Sequence, residues 1–565
     1  MNDMIGYIRK DPYIKVLLVV LVGAAVLRLY GLRNAENTDE YNEVVEALRV
    51  ASGRFNLNRW HKKGFQNILA VLYGCYFIIG YLFELFKSPM DFASKVVGNM
   101  EPLLLIGRYA TAIMGTLSVG LLYAVGRRLY NGRVGVMAAL MLAVSSMHVW
   151  TSHLVNTDVP LTFFFLAALY YIARFTASGN RWDYGAAAFF CAVTINIKLT
   201  GVGIGVLFLA AHLMRAREQG KRLIGSLFSK DMGYAALAFL AGLVVSNPPL
   251  VLGLKKFIEY HYGVYTNVYD EVPYAVEGNA FFTYAVLLYR EFGPVLSLLS
   301  LAGLAFALVK REAWDVVLLV FIAALYLALA NTTFLVQNRY LMTMLPVLFL
   351  LNARLLDVLA RLLPRGGKAA MGLIALCGVV LYYPATNSVA YVRTLAEENT
   401  SMASKKWIEA NIPQGSKLLV DAGKTMITSG PRLNQSRKNL EDKLKVIREL
   451  KDGQTYDSPL VRIVDSYSAI YFELLLRNMP EITYDITTTE LGRNVRIAEY
   501  YERNGYDYYV HDGDLEFRIE EPLWRSKYPE SAEFYEHYAS RFTLIQAFYP
   551  SPTRSGSPIL IYRIP

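Results

Sequence analysis

Cysteine is scarce in this sequence, and charged residues are few. The three cysteines of the 565-residue chain, Cys75, Cys191 and Cys377, all lie in apolar stretches. They offer neither a disulfide framework nor a cysteine-based metal site. Only 18% of the residues are charged whereas 54% are hydrophobic, and this balance is too apolar for a soluble protein of this length. The composition therefore predicts a membrane protein with several spans.

The positive charge is unevenly distributed along the chain. The formal net charge is +10, yet the residues from Arg393 onward contain 23 Lys and Arg against 25 Asp and Glu. The excess must therefore lie in the apolar part of the chain, where Lys and Arg accumulate in cytoplasmic loops. Nucleic-acid binding is a poor explanation for such a distribution.

About eleven apolar segments between Tyr13 and Pro384 approach the length of a bilayer crossing. If the apolar stretch Asn67–Phe86 does not cross the membrane, the basic loops between the other segments lie on the same side as the N-terminus. Lys and Arg prefer the cytoplasmic side, so we expect Asn67–Phe86 to lie at the outer interface. No cleavable signal pattern precedes the first span, so it is expected to remain as an anchor. The predicted location is the cell (inner) membrane, with a multi-pass topology.

Two domains are predicted. Residues 1–390 form a helical transmembrane domain with a long first outer loop at 33–101. Residues 391–565 form a soluble extracytoplasmic α/β domain of ordinary size. Its predicted strands are Lys417–Asp421, Tyr506–His511 and Pro558–Arg563, which helical stretches separate. The fold class is therefore an α-helical polytopic membrane protein with a C-terminal α/β domain.

An acidic pair, Asp39 and Glu40, follows the first apolar segment almost directly. Charge beside a membrane is costly unless it meets water or a partner, so such a pair is a candidate functional site. The alternative is a solvated helix start, with Thr38 as the N-cap and both acids in the first turn.

The predicted topology collects further polar groups on the same outer face. They are His61, Lys62, Asp158, Lys198, Arg339 and Tyr340. Each also has a structural interpretation, since Lys198 can extend from a helix end towards the interface and Asp158 can cap the helix that Pro160 opens. Their convergence on one face favours a functional site.

Six short motifs occur in a fixed order along this face. They are Thr38-Asp39-Glu40-Tyr41, His61-Lys62-Lys63-Gly64-Phe65, Gly107-Arg108-Tyr109, His153 to Asp158, Asn196-Ile197-Lys198 and Asn338-Arg339-Tyr340. In this order they resemble the GT-C superfamily of membrane glycosyltransferases, in particular the lineage of protein O-mannosyltransferases and lipid A aminoarabinose transferases. The chain departs from the family pattern at His61, where an acid is common, and at Gly64, where a proline is common.

The resemblance implies an inverting glycosyltransferase with a polyprenyl-phosphate sugar as donor. Asp39 is then the general base that takes the proton of an acceptor hydroxyl, and Glu40 and Asp158 are the other catalytic carboxylates. The leaving lipid phosphate needs cations, which are assigned to Lys198, Arg339 and Lys62 with His61 and Tyr340 beside them.

No cofactor is assigned with certainty, a divalent cation is left open, and no metal ligands are predicted. The expected partners are the donor lipid, membrane lipid and an unidentified acceptor, which can be a protein, lipid A or a polysaccharide.

Two other functional classes stay open, a transporter or flippase of lipid-linked sugars and a non-catalytic subunit of an envelope assembly. A transporter is expected to carry polar groups near the centres of several spans, and few are visible. An oligosaccharyltransferase is disfavoured because the sequence has no Trp-Trp pair.

Overall fold

The computed structural model describes residues 12–35, 39–52, 63–248, 255, 280–331, 336–362, 367–422, 430–449, 468–490, 492–516, 520 and 522–565. By their contacts, the residues form two compact units. The membrane unit comprises Met1–Leu32, Val45–Val71 and Gly107–Val392, and the second unit comprises Arg33–Val44, Leu72–Ile106 and Arg393–Pro565. The sequence-based division into 1–390 and 391–565 stays a prediction.

Sixteen helices in the described residues precede the C-terminal region. They are α1 Ile14–Leu29, α2 Asp39–Ala51, α3 Lys63–Leu82, α4 Pro89–Gly98, α5 Glu101–Leu129, α6 Gly132–Ala143, α7 Ser146–Ser152, α8 Asp158–Ser178, α9 Arg181–Ile197, α10 Ile204–Glu218, α11 Leu223–Ser226, α12 Lys230–Ser246, α13 Phe281–Lys310, α14 Ala313–Ala330, α15 Met344–Leu362 and α16 Gly367–Thr394. Short 3₁₀ turns cover Leu199–Gly203 and Asn338–Leu341.

Seven helices of the described residues are long and apolar enough to cross a membrane, and there are eight if the bent pair α6–α7 counts as one span. The seven are Gly64–Leu82, Glu101–Leu129, Asp158–Ser178, Leu199–Glu218, Phe281–Lys310, Ala313–Ala330 and Ile374–Thr394. The shorter helices α1, α9 and α12 have 16, 17 and 17 residues. The count of about eleven spans therefore stays a prediction, and so does the interfacial placement of Asn67–Phe86.

Tight packing inside the membrane unit brings α9 against α8 and α12, and α15 against α6 and α13. Two of its helices are broken. The axis turns by 61° between α6 and α7, and α13 is interrupted at Gly293, which has a φ of 67° and precedes Pro294. Glycine tolerates this left-handed conformation, and the missing N–H of proline leaves a backbone bond unmade.

The C-terminal region is an α/β fold, as predicted. Its helices are α17 Thr400–Asn411, α18 Arg437–Glu449, α19 Ser468–Arg477, α20 Ala498–Arg503, α21 Pro522–Lys527 and α22 Pro529–Arg541. Its strands are β1 Lys417–Val420, β2 Asp485–Thr488, β3 Tyr508–Asp512, β4 Thr543–Phe548 and β5 Ile559–Arg563. The three predicted strands match β1, β3 and β5, whereas β2 and β4 were not expected.

The strands of this region form one mixed sheet in the order β2-β1-β3-β5-β4. β2, β1 and β3 are parallel, and β5 runs antiparallel to both β3 and β4. Alternate residues of β1 enter separate cores, with Leu418 and Val420 in one and Leu419 in the other. This alternation follows from the two-residue period of a strand buried on both faces.

Candidate functional site

A buried ion pair joins two helix ends of the membrane unit. Asp158 is the first residue of α8, and Lys198 follows α9 in an extended conformation. The Nζ atom of Lys198 lies 2.5 Å from Oδ1 of Asp158, and the two residues are only 8% and 2% exposed. Lys198 therefore does not extend into solvent, and the snorkelling interpretation is wrong.

Two further predicted residues reach the same place from the 3₁₀ turn Asn338–Leu341. The Nε atom of Arg339 lies 3.9 Å from Oδ2 of Asp158 and donates a hydrogen bond to Oε1 of Gln337 at 2.5 Å. The Nζ atom of Lys198 lies 4.8 Å from the ring centroid of Tyr340, which is a cation–π distance. Asp158, Lys198, Arg339 and Tyr340 thus form one cluster, named here the Asp158–Lys198 site.

The loop that leads to Asp158 is rigidly held. All residues from 151 to 160 are buried. The Asn156 side chain accepts a hydrogen bond from the backbone N–H of Asp158 at 2.9 Å and donates to the Thr151 carbonyl at 3.2 Å. Thr157 is the N-cap of α8, so Asp158 does not cap the helix and its carboxylate binds Lys198 instead.

Gly64 at the start of α3 lies against the end of α9. A Cβ atom at this position would come within 3.0 Å of backbone atoms of Asn196 and Ile197, closer than a side chain tolerates without movement. The departure from the family pattern at Gly64 therefore has a packing reason, and the helix start lies next to the residues that precede Lys198. His61 and Lys62 lie outside the described residues.

Two cations face one carboxylate among the described side chains of the Asp158–Lys198 site. Lys198 and Arg339 both lie within ion-pair distance of Asp158. An Arg can bind two oxygens of one phosphate and a Lys acts as a compact charge, and both are common phosphate ligands. The arrangement is therefore suited chemically to an anion.

Asp39 and Glu40 belong to the second unit, at the start of α2. Glu40 is 1% exposed, whereas Asp39 is partly exposed. The guanidinium of Arg432 lies 3.0 Å from the ring centroid of Tyr41, the next residue. A residue of the C-terminal region thus contacts the helix that carries the acidic pair. Thr38, its proposed N-cap, lies outside the described residues.

A second polar cluster of this unit was not predicted. Asp421 follows β1, and its carboxylate accepts hydrogen bonds from Tyr509 at 2.7 Å and from Tyr535 at 2.8 Å. The Nδ1 atom of His511 lies 2.7 Å from the same carboxylate. Burial alone would lower the pKa of His511, but Asp421 and the neighbouring acids, Glu516 among them, raise it above the ordinary value.

The sequence also gave no role to three buried polar residues of the membrane unit, Arg28, His148 and Glu291. A charged residue inside an apolar segment was the available signal. Among the residues that the structure describes, no group of three or more His, Cys, Asp or Glu is arranged to hold a metal ion. The divalent cation left open above stays a prediction.

Residues 101–250 match the family described as dolichyl-phosphate-mannose-protein mannosyltransferase. This segment contains Asp158 and Lys198. A search of curated proteins gives no match.

Several solved structures are similar to the chain. The Archaeoglobus fulgidus oligosaccharyltransferase, tethered to an acceptor peptide, is 11% identical with a TM-score of 0.50, and the match covers 98% of this chain and 74% of that one. ArnT from Cupriavidus metallidurans bound to undecaprenyl phosphate is 13% identical, with a TM-score of 0.44 and coverages of 98% and 97%. The S. cerevisiae Pmt1-Pmt2 complex bound to the sugar donor is 22% identical, with a TM-score of 0.32 and coverages of 46% and 36%.

Three of the six motifs, those around Arg108, Asp158 and Lys198, lie inside the matched segment. The resemblance predicted from the motifs is confirmed at the level of the fold, since the chain has a GT-C fold and residues 101–250 match the mannosyltransferase family described above.

Proposed function

We propose that the protein is an inverting glycosyltransferase that moves a sugar from a polyprenyl-phosphate donor to an acceptor hydroxyl. The reaction takes place on the outer face of the cell membrane, where residues 391–565 form an extracytoplasmic domain. The observation that carries the proposal is the Asp158–Lys198 site, because it combines two cations and an orienting carboxylate within a GT-C fold. The family match over residues 101–250 supports a donor of the lipid-phosphate class.

Lys198 and Arg339 bind the phosphate of the donor. When the acceptor oxygen attacks the anomeric carbon, the bond from that carbon to the phosphate oxygen breaks and its electron pair stays on the phosphate. The leaving group gains negative charge in the transition state, and fixed cations in a buried site stabilise such charge strongly. Tyr340 shields the Lys198 ammonium on one side through its ring. The sequence resemblance assigns Lys62 and His61 to the same phosphate.

Asp158 orients these two cations. Isolated buried cations are costly, and a carboxylate between them keeps each in place before the donor arrives. The 2.5 Å contact to Lys198 and the 3.9 Å contact to Arg339 support this role. Asp158 thereby serves the reaction through the geometry of the phosphate site.

Asp39 is the general base. It takes the proton of the acceptor hydroxyl as the new bond to the sugar forms. As the first residue of α2 it lies at the positive end of the helix dipole. Glu40, the next residue, is buried and orients the sugar or the acceptor. The acceptor is a protein, lipid A or a polysaccharide.

A transporter would explain a buried acid near the middle of a span, and Glu291 in α13 is such a residue. However, Glu291 already accepts three hydrogen bonds, from Ser145, Ser146 and the backbone of Met147. These contacts give it a structural role, so no observation favours transport.

The test is sugar transfer from a panel of polyprenyl-phosphate sugars by purified protein in lipid, with and without a chelator. We expect Asp39→Asn to lower turnover about 100- to 10,000-fold, the usual contribution of a general base, while donor binding is kept. Asp231→Asn is the matched control, because Asp231 also lies in the first turn of a helix, α12, and is exposed. Equal turnover in Asp39→Asn and wild type would overturn the assignment of the base.

A further inference from the structure

The break between α6 and α7 leaves backbone groups without helical partners inside the membrane unit. A helix end has carbonyl oxygens that no later N–H can reach, and water is scarce in an apolar surrounding. Here the carbonyls of three consecutive residues, Leu142, Ala143 and Val144, each meet a side chain from a distant helix.

Arg28 of α1 supplies two of these partners. Its Nη2 atom donates to the Leu142 carbonyl at 3.0 Å, and its Nη1 atom donates to the Ala143 carbonyl at 3.0 Å. The same Nη2 lies 2.9 Å from Nδ1 of His148, one turn into α7. Arg28 is fully buried, so its guanidinium joins both halves of the broken helix.

Glu291 of α13 holds the beginning of α7. Its carboxylate accepts from the Ser145 hydroxyl at 2.9 Å, from the Ser146 hydroxyl at 2.8 Å and from the Met147 N–H at 2.9 Å. Glu291 lies two residues before the break of α13 at Gly293. The two broken helices therefore meet through this one carboxylate.

The last helix of the unit, α16, contacts both breaks. Ser388 donates to the Val144 carbonyl at 2.8 Å, and Tyr383 donates to the Arg290 carbonyl beside the break of α13 at 3.2 Å. A Cβ atom at Gly293 would overlap the Tyr383 ring, so glycine is required for this contact. Helices α1, α13 and α16 thus all bind the short segment around the break between α6 and α7.

The segment held in this way leads directly to the Asp158–Lys198 site. The short helix α7 ends at Ser152, and the loop from His153 brings the chain to Asp158. The His153 ring places its Nδ1 atom 2.9 Å from the Val149 carbonyl and its Nε2 atom 3.1 Å from the Tyr30 carbonyl. Arg28 of α1 and Tyr30, the residue after its last turn, therefore contact both ends of α7.

We propose that Arg28 and Glu291 are positioning residues, which fix the broken helix α6–α7 and thereby the place of Asp158 beside Lys198. This inference rests on the proposed function for its catalytic consequence, because the site they position is the one assigned to the donor phosphate. Its structural part is independent of any reaction.

The first experiment reports on geometry and needs no sugar transfer. In full-length protein in lipid, a small acylating reagent labels lysines, and mass spectrometry gives the rate at Lys198, while hydrogen exchange reports on residues 144–158. We expect Arg28→Gln and Glu291→Leu to accelerate the labelling of Lys198 and the exchange of residues 144–158 about tenfold or more. A segment that loses its buried hydrogen-bond partners unfolds locally more often. Ser388→Ala removes only the hydrogen bond to the Val144 carbonyl. We expect a smaller effect from it, and it replaces either of the other variants if that variant fails to fold.

Two controls make the result specific. Glu291→Gln keeps the shape and an acceptor oxygen, so we expect it to restore most of the protection lost in Glu291→Leu. Arg354→Gln removes another buried arginine of the membrane unit, whose ion pairs are with Glu312 and Asp315. Equal acceleration by Arg354→Gln would mean general loosening and would overturn the proposal, and so would unchanged rates in Arg28→Gln and Glu291→Leu.

The second experiment measures turnover in the same variants. If the wild type transfers sugar, we expect the variants with the fastest Lys198 labelling to have the lowest turnover. Glu291→Gln should recover most of the turnover that Glu291→Leu loses. Faster labelling with unchanged turnover would overturn the positioning role. If wild type transfers no sugar from any donor, the proposed glycosyltransferase function fails, and the labelling and exchange rates still decide whether Arg28 and Glu291 hold Asp158 in place.

Discussion

Among the described residues of the membrane unit, two ionic clusters are built from the same kinds of residue. The Asp158–Lys198 site joins Lys198 and Arg339 to one carboxylate, with the Tyr340 ring beside the ammonium. In the other cluster, Arg354 pairs with Glu312 at 2.6 Å and with Asp315, and its guanidinium lies 4.9 Å from the ring centroid of Tyr130.

The two clusters differ in their balance of charge. Around Arg354, two carboxylates meet one cation, and Asp315 also accepts a hydrogen bond from Tyr130 at 2.9 Å. That cluster stabilises the packing of α14 against α15. Around Asp158, two cations meet one carboxylate among the described side chains. We propose that this difference in charge balance separates a structural cluster from an anion-binding one.

The largest effect is expected from removing the cation of each cluster, Lys198→Met against Arg354→Met. Both changes leave a buried carboxylate without its main partner, which costs roughly 3–5 kcal/mol of unfolding free energy. Per folded molecule, however, Lys198→Met should lower sugar transfer about 100-fold or more through lost charge stabilisation, while Arg354→Met should leave it nearly unchanged. Thermal unfolding and turnover of the purified variants measure the two quantities separately. Similar turnover losses in both would remove the distinction drawn from charge balance.

A smaller effect is expected from Gly64→Ala. The new methyl group would press on the backbone of Asn196 and Ile197 and shift Lys198 by a few tenths of an ångström. We expect turnover to fall several-fold up to about tenfold, since small misplacements of binding groups are costly. Gly205→Ala is the control, because nothing lies within 4 Å of a Cβ atom there. If both alanine variants retain full turnover, the close contact at Gly64 does not position Lys198.

The smallest effect concerns a buried pair outside the membrane unit, that of His511 with Asp421. The pKa of His511 is raised in the folded state, so the stabilisation is complete below the unfolded pKa of about 6.5 and is lost as the pH rises through the folded value. We expect the melting temperature of the second unit to fall by at most a few degrees over that window. His511→Gln should abolish this dependence, whereas His537→Gln, at an exposed position of α22, should retain it. A dependence that persists in His511→Gln would assign it to another group.

Much of the fold could be read from local pattern. The apolar segments and the alternation of Lys417–Val420 follow from burial of one or both faces, so a membrane domain and an α/β region were predicted correctly. The strand β2 was missed because Asp485–Thr488 contains a single apolar residue, Ile486. The strand β4, Thr543–Phe548, is mostly apolar and was not assigned.

Part of the candidate site could also be predicted from local sequence pattern. Asp158, Lys198, Arg339 and Tyr340 stood out as charged or aromatic residues at the ends of apolar segments, and they do meet. Arg28 is a single charged residue inside an apolar run and Glu291 has only Arg290 beside it in another, so neither stood out from its neighbours along the chain. Their importance comes from carbonyl and N–H groups that become unpaired only when α6 and α7 separate.

The sequence by itself determined the class of the protein, the order of its motifs and the residue types available to bind a phosphate. Those properties depend on composition and on neighbours along the chain. Only the tertiary structure decided that Asp158 pairs with Lys198, that Gly64 lies against the end of α9, and that Arg28 and Glu291 hold a broken helix. Each of these depends on satisfying charges and backbone groups in an apolar surrounding, and their partners come from segments far apart in the sequence.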